Sequence, residues 1–395
     1  MKTATVNEGP RRAWATCLLI AVFLLLLWAP TADEIFHLDG SRAAAENRLP
    51  ARPPNVGELR AGNVQKFLAA GEAYFNDHFG FRKKLIRWFQ NWKLGIYHDR
   101  TVYKVLTGPN RWLFTGEEQM VEHYLGAAKF TPQQLQTWQA LLEKRRDWLA
   151  AHGIKYLFVV PPDKQDIYPE ELPAWLRNAA PTNRVSKLDQ FLKHMQAHST
   201  VEILDLRAPL LAAKQTAPTY LQNDTHWNLF GGFVASQEVI RTLTKQLPGL
   251  PPLRTEDFNW TNVPFNSGDL ARMLGTDAPE KNYFKPLPKP SVSLPVLREA
   301  TNLVSAWNSH KSNVISENSA PALTATAMVF HDSFGNAWRQ FLGCSFKRII
   351  YMGENREFNQ KFIQENRPQV VINEILERYF NMQNPQELLA SDHLP

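Results

Sequence analysis

Two short segments carry residue types that could together move an acyl group. The first is Asn223-Asp224-Thr225-His226-Trp227-Asn228, just ahead of a helix-like run from Leu229 to about Leu247. In an extended or turning segment, residues two apart point the same way, so the Asp224 carboxylate can reach the His226 imidazole. There it would fix the ring tautomer and stabilise the imidazolium formed when His226 takes a proton. The second segment is Met328-Val329-Phe330-His331-Asp332-Ser333-Phe334-Gly335. An apolar run, Ala325 to Phe330, ends in His-Asp-Ser and is followed by helix-like Asn336 to Leu342, the pattern of a strand, a sharp turn and a helix. A serine at such a turn meets orphan backbone N–H groups and the positive end of a helix dipole, where an attacked carbonyl would find an oxyanion site. Serine hydroxyl is a poor nucleophile without a base. Asp224 and His226 supply what Ser333 lacks, while His331 and Asp332 read as its turn.

Each segment also has a plain structural reading: a polar turn after a strand, and a partly buried histidine bonded to backbone. Asp77-His78, within the aromatic-rich run Tyr74 to Phe81, reads as a helix cap with a packed imidazole. Trp227 reads as packing, with stacking on a sugar ring as the alternative. Lys164 and Arg272 could each hold a uronate carboxylate, Arg in bidentate fashion, or serve as structural ion-pair partners near strand ends. One imidazole and one carboxylate are too few ligands for zinc. The chain has no Gly-x-Gly-x-x-Gly and no phosphate loop, so no cofactor is expected. Two cysteines, Cys17 and Cys344, exclude a disulfide framework and have no metal or redox spacing. The formal charge of +6 comes from scattered basic residues, which argues against nucleic acid as a partner.

The elements that must position these residues follow in order. Arg11-Arg12 precede an uncharged run, Trp14 to Ala29, which ends at Pro30 before Asp33-Glu34. Such a run can just cross a hydrocarbon core of about 30 Å, and the flanking charges put its N-terminus in the cytoplasm. A signal anchor and a cleaved signal peptide both fit; either exports the rest. We therefore expect residues 1–32 as cytoplasmic N-terminus and transmembrane anchor. Residues 33–107 should be a tether plus a helical region, with amphipathic helices over Val64 to Phe75 and Phe81 to Tyr97. From residue 108 to 395, continuous apolar strands (Tyr156 to Val160, Val201 to Leu206, Ala325 to Phe330, Arg348 to Met352, Gln369 to Ile375) alternate with helical stretches. That alternation predicts an α/β fold with a mostly parallel sheet covered on both faces and ligands at the strands' carboxyl ends. A Pro-rich insertion at about 248–300 interrupts it, at a position suited to a lid or groove wall.

Asp-Thr-His-Trp followed by a strand ending in His-Asp-Ser-Phe resembles the alginate O-acetyltransferase family of the AlgX/AlgJ type. Further matches are Tyr74-Phe-Asn-Asp-His-Phe-Gly-Phe-Arg82, Trp112-Leu-Phe, Val160-Pro-Pro-Asp-Lys164 with Tyr168-Pro-Glu170, Ser267-Gly-Asp-Leu270, and Glu374 to Arg378. The resemblance runs from about residue 65 to 380. It implies an SGNH-hydrolase-like, three-layer α/β/α domain with Ser333 as nucleophile, His226 as general base and then acid, and Asp224 as orienting carboxylate. It also implies transfer of acetyl through an acetyl-serine to a sugar hydroxyl of an exopolysaccharide such as alginate. The implied partners are that polysaccharide, the inner membrane, and a membrane-bound O-acyltransferase supplying acetyl groups to a domain in the periplasm. No carbohydrate-binding module is expected after the catalytic stretch, an expectation that favours an anchored, AlgJ-like arrangement. A carbohydrate acetylesterase with the same triad, and a non-catalytic component of a secretion complex, are the competing readings.

Overall fold

A computed structural model of the chain describes residues 9–36, 38, 51–60, 62–81, 84–85, 101–102, 105–117, 119–250, 253–265, 268–274, 276, 279–280, 282–299, 313–320, 323–353 and 358–392. The chain divides into two compact units, Met1–Val102 with Arg272–Thr276, and Tyr103–Ala271 with Asp277–Pro395. In the first, one helix covers Gly9–Phe36 and continues through Pro30. Within this helix, Trp14–Asp33 is long and apolar enough to cross a membrane. Two further helices, Val56–Arg60 and Val64–Asp77, follow. His78 closes the second by donating its N–H to the Tyr74 carbonyl, and its ring stacks on Tyr74 at 4.0 Å. The helix expected over 81–97 lies almost entirely outside the described residues.

The second unit is built on a seven-stranded sheet. Its strands in chain order are β1 (Lys155–Val160), β2 (Ile203–Asp205), β3 (Val296–Glu299), β4 (Val314–Glu317), β5 (Leu323–His331), β6 (Phe346–Gly353) and β7 (Val370–Glu374). The spatial order is β2-β1-β7-β5-β6-β4-β3. The five strands from β2 to β6 pair in parallel, and β4 and β3 add antiparallel at one edge. The sheet is thus mixed. The last stretch of the Pro-rich insertion is the edge strand β3. Earlier in the insertion, Phe258–Asn262 and Phe284–Pro288 form a separate antiparallel pair.

Strand pleating divides the core into two layers, because successive side chains point to opposite faces. Leu157, Val159, Ala327, Val329, Ile349, Tyr351, Val370 and Ile372 belong to one cluster. Tyr156, Phe158, Val160, Met328, Phe330, Ile350, Met352 and Val371 belong to the other. The second face is covered by α1 (Pro132–Ala151), α2 (Lys187–His198) and, later in the chain, the helix Gln360–Asn366, through Trp138, Phe191 and Ile363 among others. The first face is covered by α3 (Arg207–Ala213) and α4 (Leu229–Leu243), through Leu210, Val239 and Ile240. Apolar residues on both faces explain why the strands read as continuous hydrophobic runs. Helix α1 starts where the sequence indicates: Thr131 and Gln134 form a reciprocal capping box with Pro132 at the first helical position.

Candidate active site

The central strand β5 ends at His331, and a 3₁₀ helix, Ser333–Trp338, begins at once. The expected α-helix proper is confined to Arg339–Leu342. Asp332 builds this turn. Its Oδ1 accepts the Phe334 N–H at 2.9 Å, its Oδ2 accepts the Leu376 N–H at 2.9 Å, and its own N–H donates to Glu374 at 2.9 Å. The turn is therefore fastened to the end of β7. His331 is buried, and burial pushes its pKa down to about 4. Such an imidazole stays neutral and faces inward. Gly335 is required by close approach: a Cβ there would lie 2.5 Å from the His331 Cβ and Cγ.

The opposite side of the site is the tip of a tight hairpin. Leu221 N–H donates to the His226 carbonyl, Asn228 N–H donates to Thr219, and Asn228 caps α4 by accepting the Gly231 N–H. The chain between them must turn sharply, and Asp224-Thr225-His226 forms that tip. The Asp224 Oδ1 accepts both the His226 backbone N–H at 3.0 Å and its Nδ1–H at 2.7 Å. Its Oδ2 accepts the Asp269 N–H at 2.8 Å. Burial alone would raise the Asp224 pKa, but the hydrogen bond and charge of His226 and the backbone donors hold it well below the usual carboxylate range. An ionised carboxylate only accepts, so Nδ1 carries the proton and Nε2 is left as acceptor. Ser333 Oγ lies 2.8 Å from that Nε2. The three residues expected from sequence are thus joined in one hydrogen-bonded line. Ser333 and His226 are partly exposed, while Asp224 is buried.

Several residues that sequence reasoning did not single out hold this line in place. Asp269 accepts the Thr225 N–H at 2.8 Å and the Thr225 hydroxyl at 2.6 Å. Glu280 accepts the Asn223 N–H at 2.8 Å, and Asn223 accepts the Gly268 N–H. The short motif Ser267-Gly-Asp-Leu270 was the one sequence signal for Asp269, and Ser267 itself lies outside the described residues. Trp227 is packing: it is buried, and its indole N–H donates to the Phe334 carbonyl at 3.1 Å. Lys164 is buried too, enclosed by backbone carbonyls and far from the role of a surface carboxylate binder. Asp224, His226 and Asp269 bring three potential ligand atoms within 4.8 Å of one another. Those atoms already serve the hydrogen bonds of the turn, which is the chemistry of an oriented histidine and not of a cation cage.

Residues 105–343, more than half of the chain, match the family described as SGNH hydrolase-like domain, acetyltransferase AlgX. The chain belongs to that family. Among its relatives is a protein of Pseudomonas putida named "Probable alginate O-acetylase AlgJ", 29% identical over 293 residues, with 71% of each chain covered. A protein of the same name from Pseudomonas syringae pv. tomato is 28% identical over 227 residues, a match spanning 57% of this chain and 54% of that protein. This chain therefore covers about half of that relative's length. The fold is shared more widely: a DHHW family protein from Eubacterium siraeum superposes with a TM-score of 0.52 at 14% identity, covering 74% of this chain and 95% of that one. The mixed sheet with helices on both faces is the SGNH-like α/β arrangement of the family.

Proposed function

We propose that this protein is a polysaccharide O-acetyltransferase that works through an acetyl-serine on Ser333. The observation that carries this reading is the continuous line Asp224–His226–Ser333, with contacts of 2.7 and 2.8 Å, in a chain of an acetyltransferase family. His226 Nε2 takes the Ser333 proton as Oγ attacks the acetyl carbonyl of a donor ester; the same proton then goes to the departing alcohol. A sugar hydroxyl next gives its proton to Nε2 and attacks the acetyl-serine. Collapse returns the proton to Ser333 Oγ and releases the acetylated sugar. The Ser333 backbone N–H, at the start of its helix, finds no hydrogen-bond acceptor among the described residues and is the natural donor to the oxyanion.

The relatives' names make alginate-like uronate polymers the first acceptors to test. The apolar stretch Trp14–Asp33 supports a domain tethered to the outer face of the inner membrane, beside a membrane-bound acyltransferase that supplies acetyl groups. The full chain in detergent, given p-nitrophenyl acetate and oligosaccharide acceptors, should yield acetyl-Ser333 and acetylated sugar by mass spectrometry. Acetate release indifferent to every acceptor would replace transfer by hydrolysis. Turnover retained by Ser333→Ala would remove the serine mechanism.

A further inference from the structure

Lys164 follows β1 and begins the short helix Lys164–Ile167. It is 3% exposed, and none of its hydrogen bonds among the described residues goes to an acidic side chain. Instead its Nζ donates to three backbone carbonyls: Leu113 at 2.7 Å, Gln222 at 2.9 Å and Asp224 at 2.9 Å. Trp112 and Phe114 close the cradle, with ring centroids 5.0 and 5.1 Å from the nitrogen. An ammonium has three N–H donors, and here all three are used. A neutral amine has two, and its lone pair would face a carbonyl oxygen. Gln222 and Asp224 both lie in the turn that Leu221 and His226 close, so this one nitrogen ties down the backbone from which the Asp224 carboxylate projects.

We propose that Lys164 is a positioning residue for acyl transfer, its charged ammonium holding the Asp224–His226 turn in register with Ser333. The proposal rests on the reading of Ser333, His226 and Asp224 as the reacting line. Three carboxylates act on this ammonium through space: Glu280 and Asp269 from the insertion, and Asp224 from the hairpin tip. Burial pushes the Lys164 pKa down and those carboxylates, Glu280 foremost, offset part of the drop, so that it comes to about 7. The cradle is therefore intact below that pH and loses its third donor and its charge above it. A methionine of similar length fills the space but withdraws the donor from all three carbonyls, of which, among the described residues, Gln222 alone keeps another, the Leu113 N–H at 3.0 Å.

The test follows kcat and KM for p-nitrophenyl acetate from pH 6 to 9.5 in the full chain, with folding checked by circular dichroism. The parent rate should fall on the alkaline side as Lys164 deprotonates. Lys164→Met should lower kcat at least tenfold with KM within twofold, and its profile should lack that alkaline limb. Glu280→Gln should move the limb to lower pH, which loss of a merely structural contact would not do. If Lys164→Met does not fold, the Glu280→Gln profile decides alone. A parent without the limb, a limb kept by Lys164→Met, or a limb unmoved in Glu280→Gln would overturn the proposal. Ser333→Ala run alongside separates the cases: its inactivity preserves the acetyl-serine reading even when Lys164 fails, and its activity removes both.

Discussion

Replacing Asp224 by asparagine keeps the side chain's volume and one acceptor oxygen but removes its charge. The native carboxylate receives three N–H groups, two from His226 on Oδ1 and one from Asp269 on Oδ2. An asparagine cannot satisfy all three. With its oxygen toward His226, its NH2 faces the Asp269 N–H, donor against donor; flipped, the NH2 faces His226 Nδ1 and forces the wrong tautomer. The first arrangement leaves a buried donor unsatisfied, at about 1–3 kcal/mol. The second moves the proton to Nε2 and removes the base from Ser333. Loss of tautomer control in a comparable triad lowers kcat roughly 10⁴-fold, or about 5.5 kcal/mol in the barrier. Stopped-flow release of p-nitrophenol gives the acylation rate, and intact mass gives acetyl-Ser333. A rate within tenfold of the parent at pH 7.5 would refute the assigned role. The stability of the pair adds a second check. Because folding lowers the Asp224 pKa, its contribution is present above the unfolded value of about 3.9 and is lost as pH falls through the folded one. The difference in melting temperature between parent and Asp224→Asn should therefore shrink in acid, and a difference unchanged from pH 7 to 3 would contradict an ionised, hydrogen-bonded carboxylate.

Two further substitutions probe the supports. Gly335→Ala puts a methyl group 2.5 Å from the buried His331 side chain; it should cost about 1–3 kcal/mol by denaturant titration and, by displacing Ser333, slow acylation roughly 10²-fold, and parent-like acylation would show that the turn is not constrained there. Asp392→Ala strands the buried Arg145, whose Nε and Nη2 bond that carboxylate at 2.6 and 2.8 Å. We expect a loss of about 3–5 kcal/mol in unfolding free energy, with acylation per folded molecule unchanged; a loss below 1 kcal/mol would mean that the pair is dispensable.

The parts of this fold visible in the sequence are those whose signal is local. Strands buried on both faces, such as Phe158 and Val159 on β1, appear as uninterrupted apolar runs. Capping residues such as Thr131 mark a helix start. Asp224 and His226 are two apart, so their geometry follows from chain direction alone. The edge strands β3 and β4 escaped because Val296–Glu299 is exposed throughout and Val314–Glu317 is apolar only at Val314 and Ile315, leaving no continuous run. The 3₁₀ start at Ser333 is set by Asp332 bonding to Leu376, a contact across 44 positions. Asp269 and Glu280 lie in a proline-rich stretch without periodicity, and their partners are backbone amides and, for Asp269, the Thr225 hydroxyl. The cradle around Lys164 is likewise made of carbonyls, which every residue possesses and no sequence pattern distinguishes.

The anchoring of Asn223, Asp224 and Thr225 by Gly268, Asp269 and Glu280 has a consequence for how such a chain can diverge. The proline-rich insertion that interrupts the strand–helix alternation is also the brace of the hairpin tip. Grafting the whole stretch from one relative into another would exchange the brace as well. On the proposed reading of Ser333 and His226, a chimera that keeps its rate must carry the hairpin tip and its brace as one cassette.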